Sequence, residues 1–134
     1  MTELHRVGTT YIPVKNPKEA AEWYQDNLHA RINHLDETKA ILDLADQSFF
    51  LVKGKAKQTA NFLTLKGVEH FTLTFEVNGS EALKSLHHSF QKKGIEVGDI
   101  ENRGHPGLNF VFKDLDGNMF DVWSELSPNF KLKK

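Results

Sequence analysis

The sequence predicts an α+β fold: two tandem β-α-β-β-β modules whose sheets form a curved, mostly antiparallel, incomplete barrel around a cavity. Three observations predict it. The chain is written twice: "NPKEAAEWYQDNL" (16–28) is echoed by "NGSEALKSLHHSF" (78–90), with Asn16, Glu19 and Ala20 matched by Asn78, Glu81 and Ala82 at a constant offset of 62 residues. A strand-like run precedes each of these helix-like segments. Three short β-rich runs follow each of them, separated by turn signals. Two copies are too few for a solenoid, which stacks at least three units. They suit two half-sheets that close against each other, each with a helix on one face.

The elements follow in order. "GTTYIPV" (8–14) is the first strand. Asn16 followed by Glu19 reads as a capping-box start, with Pro17 at the first helical position. Ala21, Tyr24 and Leu28 then form a buried stripe at i, i+3, i+7 spacing. "ARINHL", "KAILDL" and "SFFLVK" complete a first module over about 5–53, with a turn at "ADQ". Residues 54–67 are a polar connection in which "NFLTL" makes a short extra strand. The second module, about 68–126, opens with "HFTLTFEV" (70–77). Alternation sends Phe71, Leu73, Phe75 and Val77 under its helix, and His70, Thr72, Thr74 and Glu76 to the concave side. That helix starts at Asn78, buries Leu83, Leu86 and Phe90, and stops at Gly94. "IEVGDI", "LNFVFK" and "MFDVWS" follow, with turns at "NRGHPG" and "DLDGN". Residues 1–134 are expected to make one domain.

Composition removes several function classes. The chain has 134 residues, 39% apolar and 26% charged, with net charge −1, so it carries no basic footprint for nucleic acid. The basic tail "KLKK" reads as a solvated end. Cysteine is absent, which excludes a disulfide framework, a thiolate metal site and a cysteine nucleophile. No run approaches the ~18 apolar residues of a membrane span, and the N-terminus lacks the apolar core of a signal peptide. A cytoplasmic protein is expected. Neither a glycine-rich phosphate loop nor a G-x-S-x-G elbow is present.

Strand parity supplies the candidate substrate pocket: Thr9, Tyr11, Phe50, Thr72, Thr74, Asn109, Val111, Asp121 and Trp123 face the cavity. Tyr11 and Trp123 would sandwich a flat ligand, and Thr72, Thr74 and Asn109 would orient it by hydrogen bonds. His70 beside Asp121 would make a general base oriented by a carboxylate. Plainer roles stand next to these. Asp121 would satisfy a turn or pair with Lys113. Asp114 and Asp116 are turn residues, with Gly117 at positive φ. Trp23 and Tyr24 belong to the core or a subunit interface. His87 and His88, adjacent on a helix, point in different directions.

Paired modules, "VKNPKEAAEWYQDNL" and the closing "FKDLDGNMFDVW" resemble the vicinal oxygen chelate superfamily, over nearly the whole chain. That group includes glyoxalase I, extradiol dioxygenases, and fosfomycin- and bleomycin-resistance proteins. The resemblance implies a divalent metal in some members, held from the first and last strands of each module. Carried over, the second module offers His70 and Asp121 as metal and catalytic residues, Asp121 standing where the family usually has glutamate. The first module offers Thr9 and Phe50. Counting back from Val77 as Thr9 counts from Val14 reaches Thr72 instead of His70. Zinc catalysis takes three protein ligands, and Glu76 would lie about 20 Å from His70 along a strand. His105 or a second subunit would have to complete the set. A homodimer is expected, since sites in this family are often built across a dimer and short modules leave sheet edges to cover.

Three functions remain open at this point. One is a metal-dependent lyase, isomerase, dioxygenase or thiol transferase. Another is a metal-free protein that sequesters an aromatic or cationic small molecule. The third is a partner-binding domain whose pocket is filled by its own side chains. The substrate is not named by any motif.

Overall fold

The computed structural model describes residues 3–128 and 130. The "KLKK" tail lies outside the described residues. The chain divides into two compact units, one ending at Thr59 and the other beginning at Ala60.

The first unit runs β1 (Thr9–Val14), α1 (Pro17–Leu28), β2 (Arg31–Leu35), β3 (Lys39–Leu44) and β4 (Gln47–Lys53). Its sheet has the order β1-β4-β3-β2, with β1 parallel to β4 and the other pairs antiparallel. This is the expected β-α-β-β-β module. The α1 start follows the sequence: Asn16 is extended, its side-chain oxygen accepts from the Glu19 N–H at 3.1 Å, and Pro17 occupies the first turn. Ala20, Ala21 and Tyr24 are buried against Ile12, Val14, Leu42 and Leu51, the inward positions of the strands. Ala45 and Asp46, at φ 51° and 63°, make the two-residue turn between β3 and β4, whose backbone twist matches that of the flanking strands. Asp36 organises the β2–β3 turn. Its carboxylate accepts from His34, from the N–H and hydroxyl of Thr38, and from Lys39. These bonds, that of His34 foremost, hold its pKa well below the usual carboxylate range.

The second unit contains β5 (Phe62–Leu63), β6 (Glu69–His70), β7 (Thr74–Glu76), α2 (Ser80–Lys92), β8 (Asn109–Lys113) and β9 (Met119–Trp123). β5 and β6 form a two-stranded ribbon, so "NFLTL" does supply an extra strand. The main sheet has the order β7-β9-β8, with β7 parallel and β8 antiparallel to β9. Phe110, Phe112, Phe120 and Val122 are buried on the α2 side. Phe90 of α2 meets Phe112 edge-on at 4.9 Å and Phe110 at 6.1 Å, and Phe75 packs on Phe120 at 5.4 Å.

Three sequence expectations need correction here. The run 70–77 is not one strand: it breaks between β6 and β7. The His70 ring nitrogen Nδ1 takes the Phe71 carbonyl at 2.7 Å, so that acceptor is engaged by a side chain. With the break, Phe71 leaves the helix side and joins His70 on the rim of a cleft. "IEVGDI" is not a full strand either. Val97 and Glu101 bridge Phe112 and Asn109 of β8, with one more residue on their side than on β8, so a bulge interrupts the ladder. Nor does Asn78 cap α2. Gly79 does, at φ 107°, with no side-chain hydrogen bond. Pro17 pins the start of α1, whereas Gly79 reaches a conformation closed to other residues and moves the α2 start by one. The caps are thus 63 residues apart, not 62, and Thr72 is the counterpart of Thr9.

Candidate functional site

The face of the second sheet opposite α2 carries the polar side chains. Along β9, Met119, Asp121 and Trp123 alternate with inward Phe120 and Val122. Val111 and Thr74 lie directly opposite Asp121 in the register, and Asn109 lies opposite Trp123. Thr74, Asn109, Val111, Asp121 and Trp123 therefore share one face, because β8 and β9 run without a bulge through these positions. Thr72 is exposed in the break before β7.

Asp121 is the centre of this face and is only 2% exposed. Its Oδ2 accepts from the Thr74 hydroxyl at 3.0 Å and the Asn109 Nδ2 at 2.9 Å. Its Oδ1 accepts from Arg103 Nη2 at 3.1 Å. Arg103 also donates through Nε to Glu101 at 2.7 Å, and its guanidinium lies 5.6 Å from the centre of the Phe71 ring. Partial burial opposes the charge on Arg103, but Glu101 and Asp121 outweigh it and hold the guanidinium pKa above its ordinary value. Lys113 pairs with Glu96 at 3.2 Å, so the sequence pairing of Lys113 with Asp121 is corrected in favour of Arg103. Glu76 is engaged elsewhere, accepting from the N–H and hydroxyl of Ser127.

An open cleft of about 300 Å³ lies beside Arg103, lined by Glu69, His70, Phe71, Glu101, Val111 and Met119. The His70 ring stacks obliquely on Phe71, with centroids 4.1 Å apart, and on Phe62 at 4.9 Å. A carbonyl only accepts, so the His70 Nδ1 carries the proton and Nε2 is left with its lone pair when the ring is neutral. Asn109 is 3% exposed, and its Oδ1 accepts no hydrogen bond among the described residues. Swapping its amide would not cure this, because the nitrogen is needed to donate to Asp121.

Of the first-module candidates, Tyr11 and Phe50 are cross-strand partners on β1 and β4, with ring centroids 5.0 Å apart. Thr9 lies two residues before Tyr11 on the same face, away from the buried Ile12 and Val14. Trp123 donates through Nε1 to the Pro106 carbonyl, with His105 edge-on at 5.9 Å. Tyr24 is wholly buried core. Asp114 accepts from the N–H groups of Asp116 and Asn118 in the β8–β9 turn.

Sequence reasoning passed over Arg103, Glu101 and Glu69. Two of them lie at or beyond the bulged edge 97–103, where no periodicity exists to assign a face. The one signal was an arginine between the turn residues of "NRGHPG".

The donor set does not fit a resident divalent ion. Among the described residues no three His, Asp or Glu side chains converge. His70 and Asp121 make no bond to each other and are each engaged elsewhere. Asp121 already has a cation, since its Oδ1 receives a guanidinium. The counterpart of Thr9, by the position of the helix caps, is Thr72, not an imidazole.

A family profile described as the Glyoxalase/Bleomycin resistance protein/Dioxygenase superfamily matches residues 4–122. The chain belongs to that superfamily. Similar solved structures of this glyoxalase/bleomycin-resistance group carry the same fold. Lactoylglutathione lyase from Agrobacterium tumefaciens is 13% identical, with a TM-score of 0.72 over 91% of this chain and 95% of that one. A glyoxylase/bleomycin resistance protein/dioxygenase domain from Frankia sp. EAN1pec is 20% identical, with a TM-score of 0.71 over 92% and 100%. The fosfomycin resistance protein FosX from Listeria monocytogenes, complexed with Mn(II) and sulfate, is 16% identical, with a TM-score of 0.71 over 99% and 98%. No curated protein matches the chain. The superfamily assignment agrees with the resemblance read from the sequence, and so does the α+β pattern of two modules. Among the described residues no helix is long and apolar enough to cross a membrane.

Proposed function

We propose that this glyoxalase/bleomycin-resistance-like protein binds a small organic cation bearing a flat ring, on the open face of its second sheet and without a resident metal. The charge balance of that face carries the reading. Among the described residues, Glu69, Glu101 and Arg103 are the charged side chains that line the cleft, and Arg103 is already paired with Glu101 and with Asp121. Together these four groups carry a net charge of −2, which a cationic ligand reduces and an anionic one increases. The rings of Phe71 and His70 offer the flat surface. In this reading His70 accepts a hydrogen bond or a proton through Nε2, and Thr74, Val111 and Trp123 border the ligand. The related FosX, with Mn(II), marks the divalent-metal alternative, which the pairing of Asp121 with Arg103 disfavours.

Trp123 and Trp23 are the two tryptophans, so Trp23→Phe leaves Trp123 as the only indole reporter. Titration of that variant, in the presence of a chelator, with planar aromatic ammonium compounds and with carboxylates of equal size tests the reading. Saturable quenching by the ammonium series is expected, weakened about tenfold by Glu101→Gln, the cost of one lost ionic contact. A preference for carboxylates, or loss of binding with the chelator, overturns it.

We also propose a homodimer. The β5–β6 ribbon exposes Phe62, Leu63, Leu65 and Val68, and an uncovered ribbon edge with apolar side chains favours association with a second copy. Sedimentation velocity is expected to give twice the 15.3 kDa of one chain, and Leu63→Glu with Leu65→Glu the single mass. A wild-type monomer at high concentration sinks this proposal.

A further inference from the structure

We infer that Arg103 is a built-in cation, tethered in the place on Asp121 that a divalent ion would need, and that it is the residue that makes this site refuse metal. The inference shares one premise with the proposed function, that Asp121 holds no metal, and adds the cause.

The geometry points to a constructed position. Arg103 is anchored three ways: by Nε on Glu101 at 2.7 Å, by Nη2 on Asp121 at 3.1 Å, and by its planar face near the Phe71 ring. Its loop is fixed at the far end as well. The Trp123 indole donates to the Pro106 carbonyl, and the Leu108 N–H donates to the Ser124 hydroxyl. Gly107, at φ 83°, lies so close to β9 and the segment after it that a Cβ would stand 2.7 Å from Ser124 Oγ and 2.8 Å from Trp123 Nε1. The loop can approach only because that residue is glycine.

A divalent ion would have to bind a carboxylate oxygen directly, at about 2.0–2.2 Å. Oδ2 is turned toward Thr74 and Asn109, which donate to it, and Oδ1 faces the guanidinium. An arriving ion meets the like charge of Arg103 and must break its bonds to both carboxylates. The arginine needs no association step, since the chain itself holds it at the site, whereas the free ion must lose its hydration shell and its freedom. A tethered guanidinium therefore wins against an untethered ion unless a fuller ligand set surrounds the ion, and among the described residues no three His, Asp or Glu side chains converge.

The test is Mn(II) binding, read by electron paramagnetic resonance and calorimetry on full-length protein purified without metal affinity. Wild type and Arg103→Lys, which keeps the charge, are expected to take up no stoichiometric Mn(II). Arg103→Ala and Arg103→Gln free Glu101 and Asp121 together, and are expected to bind Mn(II) at least about tenfold more tightly than wild type. Adding Asp121→Asn to either variant should abolish the gain. Arg103→Gln retains packing against Phe71 and serves if the alanine variant does not fold. A second readout uses wild type alone: the Arg103 side-chain N–H resonances should stay sharp as Mn(II) is added, because a paramagnetic ion on Asp121 would broaden them. Folded Arg103 variants with no gain in affinity overturn the inference and leave the proposed function standing. Stoichiometric Mn(II) on wild type, lost with Asp121→Asn or accompanied by broadening of Arg103, overturns the inference and the metal-free reading together.

Discussion

Phe112→Ala is expected to destabilise the second unit by about 3–5 kcal/mol, the usual cost of removing a buried phenyl ring. Phe112 is 2% exposed and is the aromatic centre of that unit. It touches Phe90 of α2 at 4.9 Å, Phe120 of β9 at 5.5 Å and Phe75 of β7 at 6.2 Å. One truncation therefore removes contacts to three elements at once, and the rigid rings around it cannot collapse into the space. A domain of ordinary stability has only about 5–15 kcal/mol in hand, so the variant should lose most of its resistance to urea. Phe112→Leu keeps most of the volume and should recover more than half of the loss. Urea unfolding followed by circular dichroism measures both. A cost below about 1 kcal/mol for the alanine variant would mean that the aromatic cluster is not the core of this unit.

Asn118→Ala should cost on the order of 3 kcal/mol, large for a residue in a turn. Asn118 is completely buried. Its Nδ2 donates to Asp114 Oδ2 at 2.8 Å, and its Oδ1 accepts from the Ala60 N–H at 2.8 Å. Asn61 completes the clasp: its Nδ2 donates to the Gly117 carbonyl and its Oδ1 accepts from the Met119 N–H. The "DLDGN" turn thus fastens the first residues of the second unit to the β8–β9 hairpin. Alanine would strip a half-buried N–H and a buried carboxylate oxygen of these partners. Asn118→Asp separates shape from charge. The new carboxylate still accepts from Ala60, but it faces Asp114 with no donor between them. Its cost is expected to be largest near neutral pH and to shrink as pH falls toward 4, where the two carboxylates can share a proton. Thermal melting of wild type and Asn118→Asp from pH 4 to 8 shows this as a converging pair of curves. A pH-independent gap would refute the like-charge account.

The asparagine of "DLDGN" shows how a motif can be legible while its work is not. The sequence marks a turn, and the turn is there, with Gly117 at φ 87°. Its partners, Ala60 and Asn61, lie 58 residues away from Asn118 and Met119. No local pattern connects them. The same holds for the α2 start. The Asn16 echo at Asn78 is real in the sequence, yet Gly79 supplies the cap, because a single φ value outweighs the matching letters.

By itself the sequence determined the two-module α+β plan, with β-α-β-β-β complete in the first unit, the Asn16–Pro17 start of α1, and the shared face of Asn109, Val111, Asp121 and Trp123. These follow from period, capping chemistry and parity, which act between neighbours along the chain and need no knowledge of the rest of the molecule. Only the tertiary structure decided what Asp121 does. Its partner is Arg103, 18 residues upstream on an irregular loop, and hydrogen bonding between side chains from separate segments has no period to betray it. The break at 71–73, which moves Phe71 from the helix side to the cleft, was decided the same way. A strand continues only where its backbone groups find a ladder, and that depends on which strands the fold brings alongside.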